Sequence, residues 1–138
     1  MMNPLGVLTF AGLTAAGIAA RRRTAWHRRL HYCAMAVLIG PAFGRLLPMP
    51  LLIPYAGEVV FAALMLFPLA GCIADLRRAG RVHPAFVAAI GVMLTMQVAI
   101  NLVTFSPAGA AIYRAVTAGS PGGTVDPYAF APSPPPVP

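Results

Sequence analysis

The sequence predicts an all-α integral membrane protein. Its expected form is four transmembrane helices in a bundle, both termini extracytoplasmic, then a short surface helix and an extended proline-rich tail. Three observations carry that expectation. Of the 138 residues, 59% are hydrophobic and 9% charged, whereas soluble domains carry roughly 25% charged residues. Apolar runs of spanning length recur four times. Finally, all ten basic residues are Arg, and eight of them (Arg21, Arg22, Arg23, Arg28, Arg29, Arg77, Arg78, Arg81) fall in two short segments between those runs. Arginine concentrated in short loops is the positive-inside signature. The formal charge of +7 therefore points to anionic lipid head groups rather than nucleic acid, because the arginines fringe apolar spans and line no soluble face.

The elements follow in order. Residues 4–20, "PLGVLTFAGLTAAGIAA", give about 25 Å of helix at 1.5 Å per residue, enough once Arg21 snorkels. No charge precedes this run and three arginines follow it, the reverse of a cleaved leader; a retained helix running from outside to inside is expected. Residues 30–47 form the second span, with Pro41 as its kink. "LLPMPLLIPYAGE" then places three prolines where a helix would otherwise continue, which breaks it. Residues 57–76 form the third span, with Pro68 inside. Residues 85–105 form the fourth, after Pro84, a residue suited to a helix's first turn. Both arginine loops, 21–29 and 77–83, then lie in the cytoplasm, with the proline loop and the tail outside. These spans make residues 1–105 one transmembrane domain.

In residues 106–118 Ser106 can cap the first amides, Pro107 fits the first helical position and Gly119 can end the helix. Residues 119–138 cannot form a core: seven prolines in the last nineteen residues favour an extended chain.

Polar residues within or beside the spans mark candidate sites. His27, His31, Cys33, Cys72, Asp75 and His83 all map to the arginine-rich end. Imidazole, thiolate and carboxylate at one level are ligand types for zinc or another transition metal, yet no Cys-x-x-Cys or two-Cys, two-His spacing accompanies them. The plainer reading makes His and Trp interfacial anchors, the thiols small apolar residues, and Asp75 a partner for Arg78 or Arg81. A Cys33–Cys72 disulfide is not expected in a reducing cytoplasm, and no histidine sits mid-span to ligate haem. At the other end, Arg45 and Glu58 stand at one level and can pair, which lowers the cost of both charges; the alternative is a snorkelling Arg45. Gln97 and Asn101, four apart, suit interhelical hydrogen bonding, with a ligand or proton path as the rival role. Gly12 and Ala16 form a small-residue spacing for helix docking.

With three acids in all, one of them in the tail, no paired-carboxylate site is available, and no nucleophile–base arrangement or phosphate loop is visible. An enzyme is not expected.

Three motifs together, H-R-R-L at His27–Leu30, P-A-x-x-R from Pro41 to Arg45, and D-x-R-x-x-G-R-V-H-P from Asp75 to Pro84, resemble a family of uncharacterised bacterial multi-pass membrane proteins. The resemblance covers roughly residues 20–90. It implies a bacterial inner-membrane protein corresponding to the last four helices of that family, with the tail as an addition. Members often carry Met at the position of His31, so a metal site built on His31 would not be a family trait, and no activity comes with the resemblance.

The expected role is a non-enzymatic accessory or scaffold subunit of a larger membrane complex, respiratory or photosynthetic. It would dock through its helices and through a tail whose Tyr128 and Phe130 can anchor in a partner's pockets. Self-association is the simpler alternative. No cofactor is expected beyond bound phospholipid. The competing readings are a small metal- or redox-cofactor-binding membrane protein and a lipid or small-solute transporter acting as an oligomer.

Overall fold

The computed structural model describes residues 2–48 and 51–126, with the side chains of residues 2, 3, 121 and 122 left aside. Among them the architecture is all-α: α1 (Met2–Ala19), α2 (Thr24–Leu38), α3 (Gly40–Leu46), α4 (Ala56–Ala79), α5 (Pro84–Thr104) and α6 (Pro107–Thr117), followed by a 3-10 turn at Pro121–Thr124. Tyr128 and Phe130 lie outside the described residues.

Two helices, α4 and α5, are each long and apolar enough to cross a membrane, while the apolar part of α1, Pro4–Ala19, is shorter. Neither is the sequestered core helix of a globular domain: only 17% of the apolar window of α4 and 33% of that of α5 are buried. Where one continuous second span was expected, the structure has two helices. Pro41 has no N–H to give the Val37 carbonyl, so the chain tightens at Ile39, whose N–H bonds the Ala36 carbonyl at 3.2 Å. The helix then restarts at Gly40 with Pro41 in its first turn.

The arginine segments are also more helical than expected. α2 begins at Thr24 and takes Arg28 and Arg29 into its first two turns, which shortens the first loop to residues 20–23. α4 runs on to Ala79, carrying Arg77 and Arg78 in its last turn, where cations complement the carbonyl end of the helix dipole. Gly80 closes α4 with φ +66°, its N–H bonded to the Leu76 carbonyl. This left-handed cap suits glycine, which meets no Cβ clash there.

The core is thin. Ala85, Ala89, Met93, Met96 and Ile100 form one buried stripe along α5, at the three- and four-residue spacings of a single helix face. Against it pack Leu30, Cys33, Ala34 and Val37 of α2 and Val60 and Leu64 of α4. α1 packs chiefly on α2 and contributes the buried Leu13. In α6 the Ser106 hydroxyl accepts the Gly109 N–H at 3.1 Å, and Gly109 approaches the backbone of Val103 so closely that a Cβ there would strike its carbonyl oxygen.

Candidate functional site

Two features stand at opposite ends of the helices. At the arginine-rich end, α2, α4 and the start of α5 are tied by one carboxylate. The Arg29 guanidinium donates to Asp75 through Nε at 2.9 Å and through a second nitrogen at 2.5 Å, the two-pronged geometry that Arg makes best. Asp75 also accepts the backbone N–H of His83 at 3.3 Å. Both side chains are largely shielded, with Arg29 21% and Asp75 14% exposed. The expected partners of Asp75, Arg78 and Arg81, both point into the open.

His83 caps α5 by accepting the Ala85 N–H at Nδ1, 3.1 Å away, and meets Trp26 edge-on with ring centroids 5.6 Å apart. Phe86, one turn along, lies beneath Arg29 at 5.7 Å and edge-on to Tyr32 at 6.2 Å. The Tyr32 hydroxyl donates to the Phe67 carbonyl at 3.1 Å. Gly71 lets α4 approach the Phe86 ring; a Cβ at that position would overlap the ring. Carboxylate, guanidinium and aromatic ring thus form a clamp that brings both arginine loops to one end of the bundle.

The remaining histidines serve the α1–α2 hairpin. His27 donates from Nδ1 to the Gly17 carbonyl at 2.8 Å and stacks edge-on with His31 at 4.5 Å. His31 lies over Gly17, where an added Cβ would stand 3.0 Å from the imidazole. Gly12 and Ala16 are exposed, so the close approach on this side of α1 runs through Gly17. Cys33 is fully buried in the core and Cys72 half-buried, both as free thiols. The six expected metal ligands are therefore split between the Gly17 contact, the core and the clamp. Among the described residues no group of three His, Cys, Asp or Glu side chains stands close enough to hold a metal ion. Arg21, Arg22, Arg23, Arg28, Arg77, Arg78 and Arg81 remain exposed, leaving seven of the eight arginines available to anions and Arg29 committed inward.

At the other end, an apolar groove of about 520 Å³ opens among α1, the α2–α3 break, α4 and α5. Small residues shape it: Gly6, Gly40, Gly44 and Gly57 all line the space, one or more on three of its walls. On the fourth wall is Gln97, a buried polar side chain at 9% exposure, whose Oε1 has no hydrogen-bond partner among the described residues. Asn101 is half-buried. Arg45 and Glu58 are both exposed, and the ion pair among the described residues is Arg29–Asp75, not one between these two.

No protein-family model, curated protein or solved structure matches the chain.

Proposed function

We propose that the chain crosses a bacterial inner membrane four times, with the broken α2–α3 unit as the second crossing, and serves as a non-enzymatic accessory or scaffold subunit of a larger membrane protein complex. The observation that carries this reading is the outward-facing apolar surface of every long helix. Leu8, Leu66, Val87 and Leu102 are each about 60% or more exposed, and side chains of this kind run along all sides of the thin core. In water such a surface would aggregate; in a bilayer it meets lipid or other helices.

The chemistry at the polar end fits a scaffold. Arg29, Asp75 and His83 are consumed in holding three helices together, and the seven exposed arginines form a collar of the kind that holds anionic head groups on the cytoplasmic face.

Two experiments test the reading. Single cysteines replacing Arg22 and Arg78, in a Cys72→Ser background, are expected to react with an impermeant maleimide from the same side of the membrane. Reaction from opposite sides would overturn the four-crossing layout. Gentle detergent extraction followed by mass spectrometry is expected to recover the chain with a stoichiometric membrane partner. A lone chain carrying stoichiometric metal would replace the scaffold reading with a metal-binding one.

A further inference from the structure

We propose that the groove at the end opposite the arginine collar is a binding site for a membrane-dissolved amphiphile, an apolar chain bearing a hydroxyl group, with that hydroxyl bonded to the Gln97 side-chain amide. The groove has the proportions of a small-molecule site: its volume of about 520 Å³ lies within the roughly 300–1,000 Å³ usual for ligand pockets. Its wall is apolar apart from one polar group, the arrangement that seats a hydrocarbon body and orients it by a single contact.

Gln97 supplies the argument for a ligand rather than idle space. A buried amide oxygen without a partner is costly, and more so where no water can reach it. The neighbouring helices offer it nothing: α1 and the α2–α3 break bring Gly6, Val37, Gly40 and Gly44, and α4 brings Gly57 and Leu64. Gln97 lies 13 residues after Pro84 in a helix ending at Thr104. At 1.5 Å per residue that is about 20 Å from the collar end of α5 and about 10 Å from its far end, within hydrocarbon. The amide oxygen is shielded by the wall as the side chain stands; a turn about its last torsion brings it to the groove, where a molecule already dissolved in the membrane can supply the partner. A hydroxyl both donates and accepts, so it satisfies either end of the amide.

The shape selects a slender occupant. A helix with its side chains is at least 10 Å across and rises 5.4 Å per turn, so each turn needs about 420 Å³. The groove would enclose little more than one turn of a partner helix, a volume that suits a single slender hydrocarbon or isoprenoid chain instead.

The inference rests on the membrane placement of the helices proposed above. Maleimide labelling tests that placement, and binding in detergent tests this site, so the two can fail separately. Two hydroxyl-bearing probes distinguish the sources of the same chemistry: decylhydroquinone for a quinol, and 1,2-dioctanoylglycerol for a glycerolipid. Each is compared with its fully O-methylated ether, which keeps acceptors but no O–H donor, on the purified full chain by native mass spectrometry. At least one probe is expected to bind about tenfold more tightly than its ether, the effect of one buried hydrogen bond; the preferred probe names the source. Gln97→Leu is expected to abolish that preference without lowering the thermal midpoint, and Ala56→Phe, at the groove's edge, to weaken both probe and ether. Equal binding of probe and ether, a preference that survives Gln97→Leu, or no binding of either probe would each overturn the proposal. Photo-crosslinking from position 60 of the native assembly that yields a polypeptide adduct in place of a lipid would overturn it as well.

Discussion

Replacing Asp75 with alanine is expected to lower the thermal midpoint of the purified protein more than any substitution among the seven exposed arginines. Asp75 accepts two hydrogen bonds from Arg29 and one from the His83 backbone, so a single carboxylate holds α2, α4 and the start of α5. Its loss leaves the guanidinium of Arg29, 21% exposed, without a counter-charge. Breaking one side of a fully buried pair costs 3–5 kcal/mol, and hydrogen bonds to charged groups are worth roughly 1.5–3 kcal/mol. With the pair lying at the edge of the helices, the expected loss is smaller than that of a sealed pair but larger than that at an exposed arginine. Asp75→Asn, which keeps an acceptor but not the charge, should fall between alanine and wild type. Arg22→Ala, at an exposed site, should stay within about 0.5 kcal/mol. The Arg29→Ala, Asp75→Ala double variant should lose less than the two single losses summed, because each alone strands the other's charge. Strict additivity would show that the pair contributes nothing as a pair.

The all-helical character and the two spanning-length apolar helices α4 and α5 were legible because hydrophobicity is a local property of the chain, and so were several helix ends. Pro84 opens α5, Ser106 and Pro107 open α6, and Gly119 takes a positive φ of 79° just beyond it. The contacts between helices were not legible. Sequence proximity suggested Arg78 or Arg81 for Asp75, yet the carboxylate faces α2 and meets Arg29, 46 positions away. Spacing singled out Gly12 and Ala16 on α1, but the neighbouring Gly17 takes the contact because His27 and His31 approach from α2. The nearness of all three histidines and both cysteines to the arginine segments suggested one ligand cluster. The helix faces divide these residues: Cys33 lies in the core and His27 and His31 turn toward α1, while Asp75 stays beside His83. Gln97 was visible as a polar residue in an apolar run; that it faces a groove lacking a partner depends on four helices at once.

Phe86→Ala is expected to be as damaging as the loss of Asp75 or more so, and for a packing reason. Phe86 is 5% exposed and lies among Arg29, Tyr32 and Gly71, at the point where α5 meets both α2 and α4. Truncating a buried Phe costs about 3–5 kcal/mol through lost burial and the void left behind. Part of that is the ring's attraction for the guanidinium above it, worth roughly 0.5–2 kcal/mol, so the variant should also loosen the Arg29–Asp75 pair. Gly71 is the reciprocal half of the contact. A methyl group there overlaps the ring, so Gly71→Ala is expected to cost about 1–3 kcal/mol by forcing α4 and α5 apart. In combination the two changes oppose each other, since the new methyl enters space the ring vacates. The double variant should therefore recover part of the loss, with a midpoint above that expected from adding the single effects. Thermal unfolding of the four proteins in one detergent reads this out directly. A double variant no more stable than the sum would mean that Gly71 does not govern how closely α4 approaches Phe86, and the clamp would then rest on its charges alone.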